Sequence, residues 1–177
     1  MSGSNLPIGL EGVNFGVAYT PYVASTGAGS PDYPGLPFQA GTRVNAGNGA
    51  EWVFCVAGGA ITANDVVLVT TNSTFIVQAA TNTLAASKLG QWVGVAGATA
   101  TTGQGLWVQV AGYAAAVNAA TGMTGFTAAR STSTAGRIDD TVTGGTTVAI
   151  NGIVLLATAA SNTAAAILTF PTIGAND

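Results

Sequence analysis

Apolar and polar positions alternate with a period of two over most of the chain beyond residue 50, and the plainest case is the stretch from Leu89 to Ala120. Gln91, Val93 and Val95 alternate with Trp92, Gly94 and Ala96; after a Thr/Gly-rich turn, Leu106, Val108 and Val110 alternate with Trp107, Gln109 and Ala111. Period two on both sides of a turn predicts a β-hairpin, because successive strand side chains point to opposite faces. Trp92 and Trp107 then fall on matching faces of the two arms, where they either stack across the ladder or each cover one sheet surface. Glu51 to Ala57 reads as a short strand with apolar residues on both faces, closed by Gly58 and Gly59. Asn64 and Asp65 predict a turn into Val66 to Thr70. Asn72 and Ser73 predict another into Thr74 to Ala79, which makes a second hairpin with β-branched arms.

The remaining segments are less regular. Leu84 to Leu89 fits one helical turn or a loop, and Tyr113 to Ala129 fits either a short helix around Ala114 to Ala120 or a continued strand, since alanine favours helix while Gly112 and Gly122 suit caps and turns equally. Ser131 to Ala135 reads as a loop and Gly136 to Thr143 as a connection. Gly144 and Gly145 punctuate before Thr146 to Ile150, and the last strands are Gly152 to Thr158 and Ala164 to Phe170, the latter stopped by Pro171. Displacing the central hairpin by 59 positions aligns Val95 with Val154, Ala98-Thr99-Ala100 with Ala157-Thr158-Ala159, and Val108 with Ile167, a faint repeat that supports recurring hairpins.

Residues 1–49 differ from everything that follows. They hold Pro7, Pro21, Pro31, Pro34 and Pro37 out of 6 prolines in the chain. Proline fixes φ and removes a ladder donor, so this segment predicts an extended arm rather than a central strand or helix. Phe15, Tyr19, Tyr22, Tyr33, Pro34 and Phe38 are its candidate partner contacts, because flexible linkers are poorer in aromatics. The arm either docks on a partner or lies as a long irregular loop on its own domain. The fold expectation is therefore mainly β: a compact antiparallel β-sandwich or barrel built from hairpins over residues 50–177, preceded by an extended Pro/Gly-rich arm over residues 1–49.

Composition sharpens this. Of 177 residues only 6% are charged, and the net charge is −3, whereas ordinary soluble domains carry about 25% charged residues. Much of the surface is therefore neutral, which gives little colloidal protection and predicts that it sits against another protein. Four basic residues against seven acidic ones leave no footprint for a phosphate backbone, so nucleic acid is excluded as a partner. The longest apolar run, Gly152 to Ala160, falls well short of the roughly 20 residues that span a bilayer, so no membrane partner is expected. The opening residues lack a basic region followed by an apolar one, which predicts synthesis in the cytoplasm. Cys55, the single cysteine, lies in an apolar run and reads as a buried, inert small hydrophobe.

Catalytic chemistry finds no foothold. The chain has no histidine, which removes Ser-His-Asp and Cys-His arrangements and the commonest general base and metal ligand. Asp139 and Asp140 are adjacent in a segment of turn residues, where Asp ordinarily caps or turns. Glu11, Asp32, Glu51 and Asp65 are too scattered to argue the paired carboxyls of a glycosidase. Ser87 and Lys88 diverge as sequence neighbours, Gly103-x-Gly105 lacks the third glycine and helix of a dinucleotide site, and no calcium loop occurs. No cofactor, catalytic residue or protein-ligated metal is expected. An ion at an oligomer axis stays open, since its ligands need not be close in sequence.

Three segments carry a family resemblance: the hairpin from Val93 to Gly112, the segment Ser133 to Arg137 (STAGR), and the closing hairpin from Gly152, within a match covering about Trp52 to Pro171. In these the chain resembles the small Ala/Gly/Thr-rich decoration, or cement, proteins of tailed-bacteriophage capsids. The resemblance implies a non-enzymatic virion protein, often a trimer, on the outer surface of an expanded capsid. There it would bind the major capsid protein and clamp neighbouring subunits. The arm falls outside the pattern. The alternatives are another phage structural protein (head fibre, tail tube or adhesin module) and, less favoured, a carbohydrate-binding module with Trp92 and Trp107 as platforms.

Overall fold

The computed structural model describes residues 13–20, 35–46, 48–70, 74–141 and 147–176. The turn at Asn72-Ser73 and the Gly144-Gly145 punctuation lie outside them. Among the described residues ten strands run in the order β1 (Arg43–Asn45), β2 (Glu51–Ala57), β3 (Val66–Val69), β4 (Ile76–Ala79), β5 (Trp92–Ala96), β6 (Gly105–Asn118), β7 (Ala129–Ser131), β8 (Ile138–Asp139), β9 (Val148–Leu155) and β10 (Thr163–Asn176). One helical turn, α1 (Asn82–Ala86), follows β4; the Thr81 side chain caps it by accepting from the Leu84 amide. The chain is mainly β, as its alternation requires.

Five strands close on themselves. β2 pairs with β4, β4 with β3, β3 with β5, β5 with β6, and β6 returns to β2. Every pairing in this ring is antiparallel except β2 with β4, which is parallel. The predicted hairpins at Val66–Ala79 and Leu89–Ala120 are two of its ribbons. Closure removes the exposed edges that a free sheet of this apolar composition would present. The interior is filled by alternate residues: Val53, Cys55 and Ala57 from β2, Val67 and Val69 from β3, Val77 from β4, and Leu106, Val108 and Val110 from β6. Small and β-branched side chains suit so narrow a barrel. Gly94 is needed because a Cβ there would strike Val108.

A second layer covers one wall of the barrel. β6 continues past the barrel to pair with β10, which pairs with β9, which pairs with β7, and β8 closes the row. Val66, Leu68, Val93 and Val95 face outward from the barrel and meet Ile150, Ile153, Leu155, Ala166, Leu168 and Ile173 in one buried cluster. Barrel and sandwich packing thus coexist. The segments β5–β6 and β9–β10 are both antiparallel hairpins. Ala96 faces Val108 and Val95 faces Gln109 in β5–β6, while Leu155 faces Ala166 and Val154 faces Ile167 in β9–β10. The hairpin recurs with a tip one residue shorter in the second copy, so the 59-residue displacement matches Val95 to Val154 but leaves the return strand one residue out of step: by pairing, Val108 corresponds to Ala166 and not to Ile167.

Several segments take the form that tertiary pairing dictates. Ala114 to Asn118 extend β6 instead of forming a helix, because Ala114 and Val117 are buried in the second core and pair with β10. Ser131 ends a strand, and Ile138–Asp139 form the short edge strand β8. Pro171 does not stop the last strand. The register of β10 against β9 shifts between Leu168 and Thr172, opposite Gly152, so proline sits in a bulge where no ladder donor is missed. Trp92 and Trp107 do not stack: Trp107 lies opposite Gly97, whose amide donates to its carbonyl at 2.9 Å. Trp92 packs against the interior cluster and Trp107 faces outward, each covering its own surface.

Candidate partner-binding surface

The outer wall of β2 and β6 carries Phe54 and Trp107, both fully buried, and the described parts of residues 1–49 bury them. Phe15 stacks on Trp52 with ring centres 4.5 Å apart and meets Trp107 edge-on at 5.7 Å. Phe38 lies 5.3 Å from Phe54 and 5.1 Å from Trp107, and Tyr19 lies 5.8 Å from both Phe38 and Phe54. Tyr19 is also pinned by its backbone, which exchanges hydrogen bonds with Gly105 at 2.7 and 2.8 Å. β1 then adds to β2, and Arg43 reaches Glu51 at 2.8 Å while its guanidinium lies 4.5 Å from the Trp92 ring centre. This is a closely spaced aromatic cluster, with most ring pairs edge-to-face.

Of the six candidate contacts, Phe15, Tyr19 and Phe38 are thus brought together on the chain's own barrel, half-buried. Tyr22, Tyr33 and Pro34 lie outside the described residues. The physical reason is that a ledge of Trp52, Phe54 and Trp107 would otherwise face water. The signal in the sequence was Phe54 alternating outward between the inward-facing Val53 and Cys55, which asks for a cover from elsewhere in the chain.

A different surface is left open. Tyr113 on β6 pairs with Ile167 on β10, which pairs with Val154 on β9, so the three side chains form a row across the second layer. Tyr113 is 48% exposed and Val154 40% exposed. Phe170 is exposed on β10 as well. No residue of β6, β9 or β10 is charged. Sequence reasoning found the neutral composition but not this row, since the strand pairing that aligns it is visible only in three dimensions.

Three carboxylates among the described residues tie down local backbone. Asp140 accepts from the Thr124 amide at 2.9 Å, and that hydrogen bond holds its carboxyl below the usual carboxylate range. Asp139 accepts from the Asp140 amide at 2.8 Å. Asp65 accepts from the Thr62 amide at 2.7 Å and from the Asn118 side chain at 2.8 Å, tying the start of β3 to the end of β6. Burial inside the barrel pushes the Cys55 thiol far up. Among the described residues no group of three acidic, Cys or His side chains is placed to hold a metal, and no helix is long and apolar enough to cross a membrane. Comparison with protein-family models, with curated proteins and with solved structures gave no match.

Proposed function

We propose that this chain is a structural, non-enzymatic virion protein that binds the outer surface of a phage capsid and stabilises contacts between major capsid protein subunits, as a homo-oligomer with a trimer favoured. The observation that carries this reading is the charge-free face of β6, β10 and β9 with its row of exposed Tyr113 and Val154 flanking half-buried Ile167. An apolar face without charges is suited to a protein neighbour rather than to water. The resemblance over Trp52 to Pro171 supplies the identity of that neighbour. Tyr22, Tyr33 and Pro34 remain the arm's candidate contacts with it.

The test is light scattering on the purified chain, followed by pelleting with expanded, DNA-free capsids of the phage that encodes it. A discrete small oligomer that co-sediments saturably, with weaker binding by Val154→Lys, is the expected result. Absence of co-sedimentation, or self-assembly into tubes or fibres, overturns the reading in favour of a tail or fibre protein. Deleting residues 1–45 would also remove Phe15, Tyr19 and Phe38 from the barrel, so the arm is tested instead by Tyr22→Ala and Tyr33→Ala in the full chain.

A further inference from the structure

A groove of about 330 Å³ opens where β6 bends, with Gln109 on one side of Gly112 and Tyr113 on the other. Its volume falls at the lower end of the roughly 300–1,000 Å³ typical of small-ligand sites. Three aromatic residues, Phe15, Trp52 and Tyr113, and three amides, Asn48, Asn64 and Gln109, line it together with small residues, and none of its lining residues is charged. We propose that this groove binds a neutral carbohydrate, with Tyr113 as the platform for a sugar ring and the amides as partners for its hydroxyls.

The geometry of Gln109 carries the argument. The residue is 4% exposed, and its Nε2 donates to the Ala111 carbonyl at 3.0 Å and to the Tyr113 carbonyl at 2.9 Å. Two carbonyl partners fix which end of the amide is nitrogen and use both of its hydrogens. Oε1 is left as a fixed acceptor to which no described residue donates. Asn48 Oδ1 accepts from the Ala50 amide at 3.1 Å, which leaves its amide hydrogens as donors. The Asn64 backbone is held at φ 70° by hydrogen bonds to Ala96 and from Asn118, at 2.8 and 2.9 Å.

These partners select the ligand class. An ionic ligand would find no counter-charge in the groove, and a wholly apolar one would leave the Gln109 acceptor desolvated and unpaired. A sugar satisfies both halves of the lining. Its C–H face stacks on an exposed ring, and its hydroxyls both donate and accept, as side-chain amides do. Trp52 and Phe15, both in the lining, are already stacked on each other at 4.5 Å, so that part of the groove is formed before a ligand arrives. The groove is complete in a single chain, so the inference does not rest on the capsid reading; because Tyr113 also belongs to the row of that reading, a sugar and a protein neighbour would compete for it.

The experiment titrates the full-length ¹⁵N-labelled chain with maltotetraose, cellotetraose, mannotetraose and chitotetraose, following the Gln109 side-chain amide and the Tyr113 backbone amide by NMR. Saturable shifts of both signals with at least one sugar are expected. Affinity should fall about tenfold in Tyr113→Ala, which removes the stacking ring, and be abolished in Ala115→Trp, which fills the groove from an exposed position. Far-UV circular dichroism confirms that each variant is folded. No saturable shift with any of the four sugars at millimolar concentration overturns the proposal. So does sugar binding that survives in both variants. A synthetic peptide of residues 21–34 is titrated in parallel; if it shifts the two signals and the sugars do not, the groove is a peptide site and the carbohydrate assignment fails.

Discussion

Trp107 is the largest fully buried side chain, and its indole nitrogen has no hydrogen-bond partner among the described residues. The residue therefore stabilises the fold by packing area alone while carrying the cost of a desolvated donor. Two substitutions separate these effects. Trp107→Ala empties the centre of the aromatic cluster and should cost about 3–5 kcal/mol. Trp107→Phe keeps an aromatic ring and removes the stranded N–H, so its net cost should be about 1 kcal/mol. Urea midpoints at unchanged slope measure both; equal losses would mean that the indole N–H has a partner after all. Phe38 and Tyr19 matter at this scale for the same reason. Aromatics in a proline-rich segment read equally well as cover for the chain's own core or as contacts for another protein, and only the position of Phe54 and Trp107 decides for Phe15, Tyr19 and Phe38.

At the scale of elements, β6 organises the molecule because it belongs to both layers. Its change of direction depends on Gly112, which has φ +85° and lies so close to the neighbouring backbone that a Cβ would stand 2.7 Å from Ala50 Cα. Gly103, in the hairpin tip, has the same φ of +85° but nothing within 4 Å. The pair isolates steric closeness from conformational preference. Gly103→Ala should cost about 1 kcal/mol, the price of the left-handed conformation alone. Gly112→Ala should cost at least about 3 kcal/mol, because strain and a backbone clash add. Thermal melting of the two variants side by side checks the difference, and similar shifts would show that the bend tolerates a side chain. Alternation predicted β5 and β6 from the sequence, but the length of β6 escaped it, since alanine at 114–116 carries no period and the decision falls to pairing with β10.

For the whole molecule, the consequence of sharing β5 and β6 is cooperativity. Val93 and Val95 face the second core while Ala96 faces the barrel interior, so neither layer can lose its partner without exposing the other's apolar surface. Unfolding should be a single transition. Tryptophan fluorescence, which reports on Trp52, Trp92 and Trp107 around the barrel, and far-UV circular dichroism, which reports on all the strands, should give coincident denaturation curves. Separated midpoints would mean that the second layer unfolds on its own.

Local patterning determined most of the strands, the two hairpins around Val66–Ala79 and Leu89–Ala120, and the burial of Cys55, because strand periodicity and turn chemistry act over a few residues. The poverty of charge, likewise readable from composition alone, determined that much of the surface is neutral. Tertiary structure decided the rest. It chose strand over helix for Ala114–Asn118, carried β10 through Pro171 by a bulge, and closed five strands into a ring through a parallel β2–β4 contact. It also brought Phe15, Tyr19 and Phe38 onto the barrel, and Tyr113, Ile167 and Val154 into one row. Each of these depends on contacts between residues far apart in the chain, whose partners a one-dimensional pattern does not specify.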